Sequence, residues 1–562
     1  MRGRTHIGAL AIRAAAWLLA GCAGLTHSAC THAAQPENAA PIVDAPAGTM
    51  RGTVSDGIEL YRGIPYAEAP TGKRRWKPPV AKAQWNGVRD ATEFGPLCYQ
   101  PQSRPTANNI YSEELGAMSE DCLTLNIWTP ENAESAPVFV WVHGGALVSG
   151  ASSFGMYDGT HLAEEGVVVV SLNYRLGVLG FLAHPELSAE SELRISGNYG
   201  LLDQIEALRW IERNIAAFGG DPANVTIAGE SAGALSDMYL MASPPARGLF
   251  DKAIMQSSYM ISTPALKEPQ NGHPSSESIG TWLQGELKAG GIAALRAMEP
   301  GELTERATAA GYPTWATVDS KVLPHQIVET FDRGEQAKVP LLAGFNSGEI
   351  RSLRRLLPPA PADAAEYETK IRAAYGEAAD RFLAAYPSET IDESMLAATR
   401  DALYGWTAQR MGEKHAEAGV PAYLYLFDHG YPAADEAGLH AFHASEIPFM
   451  FGTIWETTEH WPRIPRTDDQ RALSDAMVHY WTSFARTGKP VAEGHPDWPP
   501  FGGDKPFIIF DEAPAVSHDV LGDRYDLYEE TVCRRRAAGD QQWNWNVGVI
   551  SPPLPPQVSS CR

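Results

Sequence analysis

The sequence predicts an α/β protein: a large, mostly parallel central sheet flanked by helices, with excursions above it that form a lid or cap. Three observations carry this. PVFVWVHGG (137–145) and GVVVVSLNY (166–174) are continuous apolar runs, as expected of strands covered on both faces. Between them and the next strand, Leu201, Ile205, Leu208, Ile211, Ile215 and Phe218 recur at helical spacing, the pattern of an amphipathic helix against a sheet. Strand-like segments then return at Val225–Ala228, VPLLAGF (339–345) and AYLYLF (422–427).

In chain order, MRGRTHIGALAIR carries arginines and no acid, AAAWLLAG is a short apolar run, and small residues follow, so residues 1–21 read as an export signal. Leu19-Ala20-Gly21-Cys22 has the form of a lipobox, which would make Cys22 a lipidated anchor; the alternative is cleavage after Thr31-His32-Ala33. Cleavage after Ala33 leaves an even set, Cys98, Cys122, Cys533 and Cys561, whereas cleavage before Cys22 leaves Cys30 as an odd thiol. The lipobox is the preferred reading. Both routes take the chain out of the cytoplasm, to the periplasm, the outer membrane or the medium of a bacterium, where disulfides persist.

Residues 22–46 are rich in Ala, Pro and small polar types and read as a flexible linker. MRGTVSDGIELYRGI (50–64) suggests a β-meander opening a domain that spans 47–535. The intervals 259–335 and 350–420 hold helix-like runs broken by Gly and Pro, and read as excursions above the sheet. The tail 536–562, with WNWN and PPLPP, shows no period and is expected to be irregular, pinned by a Cys533–Cys561 bond.

Bulk properties narrow the function. The chain has 562 residues, 44% of them hydrophobic and 20% charged, enough to bury a large core. Its 45 basic and 68 acidic residues give a formal charge of −23, which repels phosphate backbones and makes nucleic acid an improbable partner. No stretch in the body of the chain has the length of a membrane span.

The chemistry centres on VTIAGESAGAL (225–235). Gly229-Glu230-Ser231-Ala232-Gly233 fits the G-x-S-x-G elbow, in which a strand turns sharply into a helix with the serine at the apex. A serine hydroxyl needs a base to take its proton and a third group to hold that base. It also needs backbone N–H groups where negative charge develops. VHGGALVSG (142–150) follows an apolar strand and supplies flexible backbone at its end; Gly-Gly there is commonly a simple turn, but paired with an elbow it becomes the natural donor loop. Glu349 follows the strand 339–345, and His429, His440 and His443 follow the strand 422–427, in the order Ser, acid, His. All leave at strand C-termini, where a parallel sheet gathers its ligand loops. His440 and His443 form an H-x-x-H pair without a third ligand at metal spacing, so neither a metal nor another cofactor is expected.

These motifs, in this order, resemble the type-B carboxylesterases of the α/β-hydrolase fold, which include para-nitrobenzyl esterases, animal carboxylesterases and cholinesterases. The likeness runs from about Gly52 to about Glu530 and is carried by YRGIPYAEAPTGKRRWKPP (61–79), SEDCLTLNIW (119–128), SLNYRLGVLGFLAHPEL (171–187), AIMQSS (253–258), FNSGE (345–349), FHASEIPFMFG (442–452) and WTSFARTGKP (481–490), besides the segments above. The resemblance implies Ser231 as nucleophile, Glu349 as triad acid and His443, over His440, as base. It implies oxyanion donors at Gly145, Ala146 and Ala232, supporting positions at Glu230 and Ser257, and a Cys98–Cys122 disulfide. Ala146 departs from the usual glycine; its N–H remains, but its methyl crowds the acyl pocket and disfavours positive φ. The expected partner is a small-molecule carboxylic ester. The Cys98–Cys122 loop holds Tyr99 and Tyr111 but no Trp, which argues against a choline ester. Two alternatives use the same fold: a non-catalytic adhesion or binding protein, against which the three filled triad positions speak, and hydrolysis of lactones, thioesters or amides.

Overall fold

The computed structural model describes residues 40–102, 110, 111, 113 and 115–561. The expected signal (1–21), the lipidation candidate Cys22 and Cys30 lie outside the described residues.

The strands are β1 (Ile42–Ala45), β2 (Gly48–Arg51), β3 (Thr53–Ser55), β4 (Ile58–Pro65), β5 (Arg89–Asp90), β6 (Thr124–Pro130), β7 (Ala136–Val142), β8 (Val168–Leu172), β9 (Gly220–Glu230), β10 (Lys252–Gln256), β11 (Leu341–Asn346), β12 (Ala422–Phe427), β13 (Pro506–Phe510) and β14 (Pro514–His518). Eleven of them form one sheet in the order β14-β13-β12-β11-β10-β9-β7-β8-β6-β4-β3, and β1, β2 and β5 form a small second sheet. From β8 through β7, β9, β10, β11 and β12 to β13 every pairing is parallel, while both flanks are antiparallel.

The apolar runs are explained by what lies on each face. In β7, Val138, Val140 and Val142 face one core cluster, whereas Phe139 and Trp141 face the other. A strand buried on both sides needs no polar alternation. The first face is covered by the helix Tyr199–Asn214, through Leu201, Ile205, Leu208 and Ile211. The second is covered by the helix Asp468–Thr487, through Leu473, Met477, Trp481 and Phe484. Each such buried side chain contributes about 1.5–3 kcal/mol relative to exposure.

Three boundaries differ from expectation. The linker read over 22–46 ends in a strand, because Ile42–Ala45 pairs with β2 and the N–H of Ala47 donates to Asn214 Oδ1 at 2.8 Å. The helix expected over 201–218 closes as a tighter 3-10 turn at Ile215–Phe218. The last helix, Asp523–Ala538, runs past position 535 before the irregular tail begins. That tail is held by Arg534 Nε donating to the Pro555 carbonyl at 2.6 Å, by Arg535 donating to Ser551 Oγ at 2.7 Å, and by a Cys533–Cys561 disulfide. Cys98 and Cys122 are also bonded. No helix among the described residues is long and apolar enough to cross a membrane.

Candidate active site

Five parallel strands end on the same edge of the sheet, and their C-terminal loops build the site. β9 delivers Ser231 directly. Ser231 sits at φ 55° and ψ −120°, backbone that an L-residue adopts only under constraint. The constraint is visible in the neighbours. The Ser231 N–H donates to the Gln256 carbonyl at the end of β10 (2.9 Å), and its carbonyl accepts from Leu235 N–H in the helix Ala232–Ala242 (2.9 Å). A Cβ on Gly233 would lie 2.0 Å from the Val142 carbonyl oxygen, and one on Gly229 would lie 2.5 Å from the Gly233 carbonyl carbon. Both glycines of G-E-S-A-G are therefore demanded by close approach, not by flexibility.

β7 delivers the loop His143–Gly150. Gly145 is at φ 103°, and a Cβ there would meet the Ser149 carbonyl oxygen at 1.9 Å. Ala146 and Leu147 follow at φ 57° and 60°, so the alanine that replaces the usual glycine does carry its methyl in the left-handed region. The loop is fixed from below: Tyr174 hydroxyl donates to the His143 carbonyl at 2.9 Å, and the two rings stack at 4.6 Å. Burial pushes His143 down to about 4, so it stays neutral. The N–H groups of Gly145, Ala146 and Ala232 have no acceptor among the described residues, and that of Ala232 opens a helix, where the macrodipole favours negative charge.

β11 delivers Glu349 in a 3-10 turn, Glu349–Arg351, and β12 leads to His443. The two loops are stitched by a bridge between Gly348 and Phe442, with Gly348 N–H donating to the Ala441 carbonyl at 2.8 Å. Glu349 is fully buried; Oε1 accepts from Asn346 N–H at 2.9 Å, and Oε2 accepts a short hydrogen bond from His443 Nδ1. The other ring nitrogen, Nε2, lies 3.1 Å from Glu230 Oε1, but that oxygen receives no aligned hydrogen bond. Gly144 borders both Glu230 and Ser231: a Cβ on it would lie 3.1 Å from Glu230 Oε2 and 3.4 Å from Ser231 Cβ. The Ser231 hydroxyl makes no hydrogen bond to any described residue, His443 included. Such bonds are commonly loose in unliganded sites and tighten with substrate.

The other histidines are placed elsewhere. His440 bridges Asp435 (2.9 Å) and Asp428 (3.3 Å), which raise it to about 9, and His429 Nε2 contacts Gln470 Oε1 at 2.9 Å. Ser257, at φ 50°, is buried one residue beyond β10 with its hydroxyl unpaired among the described residues.

Several contributors had no signature of their own in the sequence. Glu446, buried three residues after His443, accepts from Gln256 Nε2 (2.9 Å) and Asn346 Nδ2 (2.6 Å), while Trp481 Nε1 donates to Gln256 Oε1 (2.9 Å). The one available hint is an acid placed immediately before the apolar run Ile447–Phe451. A π-helical turn, Asp401–Gly405, sets Tyr404 against the His443 ring at 5.5 Å. Tyr111 also reaches His443, from the Cys98–Cys122 loop.

A parallel sheet with an elbow serine, an acid–histidine pair and unpaired amides at its carboxyl edge is that of an α/β-hydrolase. The model of the Carboxylesterase family matches residues 39–526, and the chain belongs to that family. It is a carboxylic ester hydrolase. It is 34% identical over 488 residues to Fumonisin B1 esterase of Sphingopyxis macrogoltabida, covering 84% of this chain and 86% of that protein. It is 34% identical over 487 residues to Para-nitrobenzyl esterase of Bacillus subtilis, covering 85% and 96%. A solved structure of PNB esterase superposes with a TM-score of 0.74 at 31% identity, covering 87% of this chain and 99% of that one. The carboxylesterase of Geobacillus stearothermophilus superposes with a TM-score of 0.71 at 32% identity, covering 86% and 99%.

Proposed function

We propose that the protein is an exported serine esterase that cleaves small-molecule carboxylic esters through Ser231, His443 and Glu349 by way of an acyl-enzyme. The observation that carries this is the buried Glu349–His443 hydrogen bond at the same carboxyl edge of the sheet as a strained Ser231 and three amides unpaired among the described residues. In the first half-reaction His443 Nε2 takes the proton of the Ser231 hydroxyl as its oxygen bonds to the ester carbonyl carbon. Gly145, Ala146 and Ala232 N–H groups donate to the resulting oxyanion. The imidazolium passes its proton to the leaving alcohol as the C–O bond breaks. Water, deprotonated by the same nitrogen, then releases the acid and frees Ser231. Glu349 holds the ring in the tautomer that exposes Nε2 and stabilises its positive charge. Glu230, whose carboxylate lies 3.1 Å from His443 Nε2, supports this group, and Ser257 keeps the supporting role that the resemblance implies. Export rests on the N-terminal signal pattern and on the two disulfides, which suit an oxidising compartment; Cys22 is proposed as the lipid attachment point.

Ser231→Ala is expected to lower kcat on a panel of 4-nitrophenyl esters by roughly 10⁴-fold or more and to abolish stoichiometric labelling by a fluorophosphonate. Retention of full turnover would remove Ser231 from the mechanism.

A further inference from the structure

One residue touches both the segment bearing the acid and the segment bearing the base, and it comes from a third part of the chain. Tyr111 lies in the loop closed by the Cys98–Cys122 bond. Its hydroxyl is 2.8 Å from the backbone carbonyl of His443 and 2.7 Å from Ser352 Oγ, three residues past Glu349. A carbonyl only accepts, so the phenol's single hydrogen goes to His443 and the Ser352 hydroxyl donates to the phenol oxygen. The ring is wedged edge-on between His443 (centroids 6.4 Å) and Trp461 (6.0 Å), and Trp461 in turn packs on Phe442 at 4.8 Å. The preceding residue is also tied down, since Thr458 hydroxyl donates to the Ile110 carbonyl. Burial pushes the phenol well above its ordinary range, against a smaller opposing effect of the Ser352 hydrogen bond, so it stays a donor wherever the enzyme works.

We propose that Tyr111 is a positioning residue: its hydroxyl staples the Ser352 and His443 segments together, and so makes the disulfide loop a structural partner of the catalytic imidazole. This rests on His443 being the base. The bridge between Gly348 and Phe442 fixes these two segments on the sheet side. Tyr111 fixes them from the opposite end, beyond the reacting nitrogen's own residue, where no strand pairing reaches. An imidazole displaced by about 1 Å costs roughly 10²-fold in rate, and loss of one restraint among several, the Asn346 hydrogen bonds to the Phe442 carbonyl and Glu446 included, costs less than that.

Tyr111→Phe keeps the ring and removes the staple. The expected result is a kcat lowered about tenfold with KM changed less than about twofold. The downfield proton resonance of the His443–Glu349 hydrogen bond should broaden or move upfield, a signature that mere loosening of a distant loop does not produce. Ser352→Ala, which leaves the phenol donor in place, should give a smaller loss. The pair Cys98→Ser/Cys122→Ser should also lower kcat, and adding Tyr111→Phe to it should cause little further fall, because both act through one restraint. If Tyr111→Phe does not fold, the Ser352→Ala and double-serine variants carry the same test through the same resonance. Parent-like kcat and an unmoved resonance in the folded variants would overturn the staple. His443→Ala, run alongside, separates the two ideas: full activity there would remove the base itself, whereas its loss with an unaffected Tyr111→Phe would remove only the staple.

Discussion

At the scale of single residues, the feature with most chemical consequence is the crowding of His443 by carboxylates. Burial alone would lower its pKa, but Glu230 and Glu349 outweigh burial and raise it to about 9. Glu230 is itself raised to about 8, first by burial, with His443 opposing and Glu446 and Glu349 adding to the rise. The two groups therefore titrate as a pair. The sign follows from the role proposed for His443: as a base it must be neutral to accept the serine proton, so kcat/KM is expected to climb with pH, and carboxylates that hold the proton on the ring move that climb above the ordinary imidazole range. Glu230→Gln removes one of them, and the midpoint of kcat/KM against pH is expected to fall by about one pH unit or more. A midpoint shared with the parent would show that Glu230 does not act on His443. Ser231 and Glu349 could be singled out because they follow the ends of β9 and β11 inside distinctive strings; His443 lies well beyond β12, past the short helix Pro432–Glu436, and could be singled out by the string F-H-A-S-E-I-P-F alone. Glu446 and Tyr111 could not, since what places them is pairing with Asn346 and with the His443 carbonyl, far away in the chain.

At the scale of elements, the elbow is held by backbone against backbone. A methyl on Gly233 has no flexible neighbour to displace, only the Val142 carbonyl. Gly233→Ala is expected to cost about 1–3 kcal/mol of stability and to lower activity far more than stability, because β7 must retreat from β9 just where the loop proposed to hold the oxyanion begins. Thermal unfolding and ester turnover measured together test this; an unchanged melting temperature with full activity would contradict it. Strands buried on both faces, β7 and β8, were legible as apolar runs. β9 was legible only over Val225–Ala228, although it extends over Gly220–Glu230. Its first part, Gly-Asp-Pro-Ala-Asn, has no strand-like composition and is aligned by Gly220 pairing with Ala136 across a register shift.

At the scale of the molecule, the C-terminal segment shows how irregular chain is made part of a fold. It has no hydrophobic period to read, because arginines of the last helix grip its carbonyls and hydroxyls, and Trp543 and Asn544 are inserted into the body. Removing the Cys533–Cys561 cross-link, which spans a sequence separation of 28, is expected to cost about 2–4 kcal/mol in denaturant unfolding while leaving ester turnover at 25 °C near the parent's. Coincident unfolding curves for the parent and the Cys533→Ser/Cys561→Ser variant would show that the arginines alone suffice. Charge was legible in full from composition; the Cys533–Cys561 cross-link was expected from the even set of cysteines and is present, whereas the arginine contacts that seat the tail had no signature in the sequence.

The bridge between Gly348 and Phe442 bears on how such a protein can be remodelled. Glu349 and His443 each directly follow one of the two residues that this single bridge joins, a short seam, so they travel together. Residues can be added on the outer side of either link, between Phe427 and Leu439 or beyond Leu353, and the dyad keeps its alignment. One residue added between Asn346 and Glu349 displaces the carboxylate, and one added between Ala441 and His443 displaces the ring, so either slips the seam and breaks the hydrogen bond between them. Loop length, and with it the space over the proposed reactive pair, can thus drift without renegotiating that pair.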